Sequence, residues 1–279
     1  MSGAELRFPD GADRMVRTSE GGEAVFGRDV LANLVASLAE ATRRRRTERS
    51  WGPGVLGCAM WMDDPELIDV LGRMANVCVV VTKQPQGKYT RAGLEMLTKL
   101  AEESGLAQAA YPELAELAPR HNGRPLVVGP GSSSWVDEVD IGGVREIGFR
   151  RVGNRLVPIV HAKIMLLGRM GWTDEHPSGD VVDQLFFVPE KLWIGSANFT
   201  KSSRSSLEMG MWTEDRELMA AARDWLLTLV GLSESLGSGP DDIDPELLPV
   251  EYDDAAIFES MRGERWELFD DDDSDIVER

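Results

Sequence analysis

The chain has 279 residues, of which 42% are hydrophobic and 28% charged, with a formal net charge of −18. That share of apolar residues can build one large domain or a domain with appendages, which excludes a wholly disordered polymer. No apolar run is long enough to cross a bilayer, no basic-then-apolar leader opens the sequence, and Cys58 and Cys78 sit in apolar runs without zinc-ligand spacing; a soluble, cytoplasmic protein with buried thiols is expected.

Residues 1–27 mix glycine and charge and are expected to form a loosely held arm. From Arg28 to Arg49, Val30, Leu31, Leu34, Val35 and Leu38 fall at helical spacing. Arg43 to Arg46 lie in the last turn, where cations complement the helix dipole; contact with phosphates is the competing reading. Val55 to Met62 is almost continuously apolar, the pattern of a strand covered on both faces. Asp64 followed by Pro65 signals a helix N-cap and first helical residue, and Val77 to Thr82 a second buried strand. A strand, a helix and a strand so close together imply a right-handed crossover between parallel neighbours. Thr90 caps a further helix over Arg91 to Ser104. Pro112, Pro119, Pro125 and Pro130 punctuate residues 106–140, which carry only weak element signals.

Glu146 to Val152 and Leu156 to Leu167 read as strands joined by the Gly153-Asn154 turn. Leu185 to Val188 and Leu192 to Ile194 read as strands around a Pro189-Glu190 turn, and Leu207 to Trp212 as another. A closing helix over Glu217 to Leu229 places Leu218, Ala221, Ala222, Trp225, Leu226 and Leu229 on one face. Trp51, Trp61, Trp193, Trp212 and Trp225 fit core positions; Trp135 and Trp172 lie in loop contexts and are candidates for substrate contact. After the Gly237-Ser238-Gly239-Pro240 linker, residues 240–279 carry 16 acidic and 3 basic residues, a net of −13, which leaves only −5 for the rest. Residues 237–279 therefore form an acidic tail. It is either a solvated end or a mimic of nucleic acid that covers a basic groove.

Two short stretches carry chemistry: Val160-His161-Ala162-Lys163 and Ile194-Gly195-Ser196-Ala197-Asn198. Residues two apart in a strand share a face, so His161 and Lys163 project together. An imidazole beside a fixed ammonium suits a phosphate: the cation neutralises its oxygens while the neutral ring attacks phosphorus. Gly195 permits close backbone approach, and Ser196 and Asn198 supply neutral donors. Just beyond the turn, Lys201 and Arg204 are placed to bind flanking phosphates or to lie as solvated surface. Arg145, Arg150 and Arg151 form a further basic cluster.

His-x-Lys followed by Gly-Ser-x-Asn resembles the signature of the phospholipase D, or HKD, superfamily of phosphodiesterases, and the strand-helix-strand opening resembles that family's layout from about Val55 to Leu229. The resemblance implies an α/β fold, a mixed β-sheet flanked by helices, with a single catalytic domain over residues 28–236. It implies catalysis with no cofactor or metal through a phosphohistidine, in which one histidine attacks and a second protonates the leaving group and later activates water. It also implies an acid, here Glu208, that orients the histidine. An ordinary surface glutamate is the alternative for that position. The chain holds one copy of the motif, since neither His121 nor His176 has a lysine two residues on; the site is expected to be completed across a two-fold axis in a homodimer. Two departures stand out. Gly168 occupies the position of the family's aspartate, for which Glu190 or Asp183 are candidate replacements. The interval from His161 to Gly195 is also longer than the motif allows, so residues 169–187 are expected to be an inserted loop. Nuclease action on DNA or RNA is the favoured reading. A phospholipid or small-molecule phosphodiesterase, and an inactive nucleic-acid-binding or scaffold subunit of a defence or repair assembly (phage defence included), are the alternatives. No membrane partner is expected.

Overall fold

The computed structural model describes residues 12–17, 22–44, 50–83, 90–129, 138–148, 151–152, 155–156, 159–173, 184–238 and 245–259. They fall into two compact units, one from residues up to Ala115 together with Asp140–Glu246, the other from Glu116–Val139 together with Leu247 onward. The first unit is a nine-stranded sheet flanked by helices. In chain order its elements are β1 (Arg14–Arg17), β2 (Glu23–Gly27), α1 (Val30–Arg43), β3 (Ser50–Ala59), α2 (Pro65–Leu71), β4 (Asn76–Thr82), α3 (Arg91–Glu103), β5 (Val144–Ile147), β6 (Ile164–Thr173), β7 (Gln184–Gly195), β8 (Glu208–Thr213), α4 (Arg216–Gly231) and β9 (Glu234–Ser235). The spatial order is β1-β2-β8-β7-β6-β3-β4-β5-β9. The pairs β3–β4 and β4–β5 are parallel, and the others are antiparallel. This is the mixed α/β architecture the sequence implies, and the parallel β3–α2–β4 unit lies where it is expected.

Local chemistry explains the elements. The Asp64 carboxylate accepts the Leu67 N–H at 3.0 Å with Pro65 at the first helical position, and Thr90 caps α3 through the Gly93 N–H at 3.1 Å. One sheet face (Val55, Val77, Val79, Val81, Met165, Trp193) packs on the buried stripes of α1, α2 and α3. Each side chain fully buried there contributes about 1.5–3 kcal/mol. Alternation sends Leu56, Cys58, Cys78, Val80, Leu166 and Leu192 to the other face, where α4 packs on β7, β3, β6 and β4. Both thiols are free and buried, and burial pushes each up to about 12.

The expected face of α4 is rotated. Leu218 and Trp225 are 42% and 41% exposed, while Met219, Ala222, Leu226 and Val230 are buried. The helix carries two adjoining apolar stripes, and the sheet beneath selects one of them. Trp51 is likewise exposed rather than core, whereas Trp193 and Trp212 are buried with ring centroids 5.2 Å apart.

Residues 169–187 are not a loop insertion throughout. β6 continues to Thr173 and β7 begins at Gln184, paired in register from Gly168↔Pro189 to Thr173↔Gln184. The Pro189-Glu190 pair is therefore not a turn. A register shift between Leu167 and Gly168 leaves Glu190 as the extra residue of a bulge, and the ladder disrupted there tolerates the adjoining Pro189. Asp183, Trp135 and His176 lie outside the described residues.

In the second unit, Leu117–Pro119 pairs antiparallel with Leu247–Pro249, and Val127–Val128 pairs parallel with Glu251–Tyr252, around a small core of Ala118, Val128 and Val250. The tail expected from Gly237 onward thus contains ordered strands before its most acidic part; Asp270 to Asp273 lie outside the described residues. Residues 116–139 group with this unit. Asn122 and Gly123 both take positive φ, 52° and 77°, as a tight hairpin turn requires. Among the described residues no helix is long and apolar enough to cross a membrane.

Gly168 tests the bulge. An added Cβ would stand 2.3 Å from the Val188 carbonyl oxygen and 2.6 Å from the Phe187 ring. Gly168→Ala should therefore cost about 1–3 kcal/mol, read as a lower denaturant midpoint at an unchanged slope.

Candidate active site

The carboxyl ends of β3, β4 and β7 and the amino end of β6 meet at one edge of the sheet, because Ile164 pairs with both Ile194 and Cys58. This pairing joins the two motif halves. The Gly195 N–H donates to the Lys163 carbonyl at 3.0 Å, so His161-Ala162-Lys163 runs directly into β6 beside the Gly195–Asn198 bend. The segment before His161 is tied down as well, by the Thr82 hydroxyl donating to the Val160 carbonyl at 2.8 Å.

Lys163 is 6% exposed while His161 is exposed. The ammonium donates to the His161 carbonyl at 2.7 Å and lies 3.4 and 3.5 Å from the two ring nitrogens. Burial pulls the Lys163 ammonium below the ordinary lysine range, opposed by the nearby Glu208 carboxylate. A cation held beside an accessible imidazole is the juxtaposition the sequence predicts.

Ser196 and Glu208 form the other side. The Ser196 hydroxyl donates to Glu208 Oε2 at 2.5 Å and accepts the Met209 N–H at 3.0 Å, while the Ser196 N–H donates to the Met209 carbonyl at 2.9 Å. Glu208 therefore has Ser196 as its partner, rather than the imidazole that the resemblance implies. It opens β8, paired with Gly27 of β2, and its carboxylate reaches the bend through the Ser196 hydroxyl. Asn198 follows in the bend, with Oδ1 buried and without a hydrogen-bond partner. An unsatisfied buried amide costs about 1–3 kcal/mol.

Gly195 has a tighter reason than approach to a ligand. A Cβ there would lie 3.1 Å from both the Met209 carbonyl oxygen and Trp193 Nε1. Lys201 has an exposed side chain, and its backbone N–H donates to Asp63 Oδ1 at 2.9 Å. Arg204 does not present an open cation: it forks onto Asp64 at 2.5 and 2.8 Å and reaches Glu66 at 3.0 Å. Arg145, 1% exposed, is likewise held by Ser233 and Glu246, and Arg44 pairs with Glu190. Glu190 lies beside Gly168 in the sheet and also holds Arg169 at 3.2 Å.

The buttress beneath the bend is what sequence reasoning missed. The Phe199 N–H donates to the Trp61 carbonyl at 3.1 Å, and the Phe199 carbonyl accepts the Asp63 and Asp64 N–H groups at 2.9 and 3.1 Å. Asp64 is fully buried; burial raises its carboxyl, but Arg204 and the Leu67 N–H more than reverse this and hold it low. The Asp63-Asp64-Pro65 run reads in sequence only as a helix cap. Nothing in the spacing shows that the capping carboxylate also clamps Arg204, 140 residues away.

Neither a protein-family model nor a curated protein sequence matches the chain. Solved structures similar to it include NucT from Helicobacter pylori, at 10% identity and a TM-score of 0.45 over 77% of this chain and 98% of that one. Another is Nuc from Salmonella typhimurium, a phospholipase D family member, at 13% identity and a TM-score of 0.38 over 73% and 90% of the two chains. Polyphosphate kinase from Porphyromonas gingivalis is similar at 12% identity and a TM-score of 0.41, over 81% of this chain and 27% of that one.

The burial of Lys163 is open to a direct titration. Its ammonium is present at low pH and lost as pH rises through a value lowered by burial. The midpoint read from the Lys163 side-chain NMR shifts should fall below the ordinary lysine value of 10.5. A midpoint at or above that value would contradict a buried ammonium.

Proposed function

We propose that this chain is a metal-independent phosphodiesterase of the phospholipase D superfamily, most specifically a nuclease, working through a phosphohistidine at His161. The observation that carries the reading is the exposed His161 imidazole beside the buried Lys163 ammonium, facing the Gly195–Asn198 bend. In this mechanism the neutral ring nitrogen attacks phosphorus and the leaving alkoxide departs with a proton from a second acid. Lys163, Asn198 and the Ser196 hydroxyl hold the non-bridging oxygens, whose charge grows in the transition state. Glu208, through Ser196, keeps that hydroxyl oriented. Water then attacks the phosphohistidine with the second histidine as base, and His161 leaves as a neutral ring.

The second histidine is assigned to another copy of the chain. His121 belongs to the other compact unit, and neither it nor His176 carries a lysine two positions on. Exposure of His161 at the sheet edge leaves it open to a symmetry mate, giving one composite site per dimer. Nucleic acid is the proposed substrate because a buried cation and neutral donors recognise the phosphodiester itself, and the exposed Lys201 side chain lies on the segment that follows the bend.

Incubation of the protein with single- and double-stranded DNA and RNA in EDTA should give cleavage that His161→Ala lowers by about 10²–10⁴ or more. Light scattering should give a dimer. Cleavage indifferent to His161→Ala, or dependent on added metal, would overturn the reading. Turnover of phospholipid vesicles in place of nucleic acid would reassign the substrate, and retention of nucleic acid with no cleavage would point to a binding subunit.

A further inference from the structure

Beside the bend, the sheet face turned away from α1 carries a cross-strand row of side chains that the proposed chemistry does not use. Directly opposed residues on neighbouring antiparallel strands share a face. Met209 opposes Phe26, and Phe26 opposes Arg14. Met209 in turn is bonded through its N–H and its carbonyl to Ser196. The row Met209–Phe26–Arg14 thus crosses β8, β2 and β1, two strand spacings or about 10 Å, and starts next to Ser196. Alternate residues Val25 and Trp212 point to the opposite face and are buried against the α1 side. Phe26 and Met209 are 39% and 47% exposed, and Arg14 is exposed.

Resting on the nuclease reading, we infer that this row is a stacking platform for the bases of a single-stranded nucleic acid whose scissile phosphate sits at His161 and Lys163. An aromatic ring accepts any base on its face, and a cation at the end of the row matches a phosphate farther along the same strand. The Ser196 hydroxyl assigned to the phosphate bonds the Met209 backbone at the end of β8, so a strand that passes over that end reaches Met209 and Phe26 next. In a duplex the bases are stacked and paired inside the helix, and the flat platform would meet only backbone. The surface therefore selects single strands. A second copy of the chain is a poorer occupant: a few exposed side chains fall well short of the roughly 800 Å² per partner of a stable interface, and the row ends on a charge.

The test compares Phe26→Ala, Phe26→Leu and Arg14→Ala in the full-length chain, using a fluorescein-labelled single-stranded oligonucleotide, its duplex, and bis(4-nitrophenyl) phosphate. Phe26→Ala and Phe26→Leu should each lower kcat/KM for the single strand on the order of tenfold more than for the small diester. Leucine keeps the apolar contact and removes only the ring. Arg14→Ala should lower the slope of log affinity against log salt by about 0.7 for the single strand. Equal losses on both substrates, no loss on either, or the same loss with the duplex would overturn the platform. Conversion of a dimer to a monomer by Phe26→Ala in light scattering would overturn it in favour of a second copy. Failure of the parent protein to turn over bis(4-nitrophenyl) phosphate would instead count against the phosphodiesterase reading. Oligonucleotide binding, measured by fluorescence anisotropy with the same variants, would then decide the platform by itself.

Discussion

The hydrogen bond from the Gly195 N–H to the Lys163 carbonyl closes the ladder between β6 and β7, and the candidate site depends on it. Two motif halves separated by more than thirty residues become neighbours only because Ile164 pairs with Ile194. A slip of one residue would turn Lys163 to the other face of the sheet, away from the bend. Several features hold the register. Met165 and Trp193 pair in the ladder and are buried on one face, and Gly210 leaves space for the Trp193 indole where a Cβ would come within 2.1 Å of it. The bulge at Gly168 takes up the extra residue of β7 far from the site.

The polar groups around the bend divide into two sets with different physical roles. Asp63, Asp64 and Arg204 are spent on one another and on backbone, and they fix the loop that carries Ser196 and Asn198. His161, Lys163, Ser196, Glu208 and Asn198 retain capacity or exposure at the sheet edge. The contrast between Arg204 and Lys163 is instructive. Both are cations near the bend, but the guanidinium is compensated by two carboxylates, while the ammonium rests on a carbonyl and two ring nitrogens. Only the second has charge left for an anion. Burial makes that charge costly, and a phosphate would relieve the cost.

Much of this was legible in the sequence because it is local. The Asp64-Pro65 cap, the Thr90 cap, the stripe of α1 and the valine run of β4 all follow from period and capping chemistry. His161 and Lys163, by contrast, lie side by side in the segment before β6, which begins at Ile164, and not in the strand the alternation assumes. What the sequence hid is contact between distant residues. The Asp64–Arg204 clamp, the Ser196–Glu208 bond and the ion pairs of Arg44 and Arg145 have no spacing signature. The extension of β6 and β7 past Leu167 was concealed by Pro189, which reads as a turn unless a bulge excuses it. The strands at 247–252 were concealed by the acidity of their surroundings, since charge density suggests solvation and says nothing about an edge pairing with Leu117–Pro119. The rotated face of α4 shows the remaining difficulty: two adjoining apolar stripes are equal by periodicity, and only the sheet decides between them.

The central claim is that the His161 ring becomes covalently bonded to phosphorus. A labelled phosphodiester substrate, quenched in base during turnover and digested for mass spectrometry, tests it directly. The account predicts a base-stable phosphoramidate, still carrying the unexpelled ester group of the substrate, on the peptide containing His161 and absent from the His161→Ala protein. Turnover with no phosphoryl adduct at any quench time, or an adduct on another residue, would contradict it.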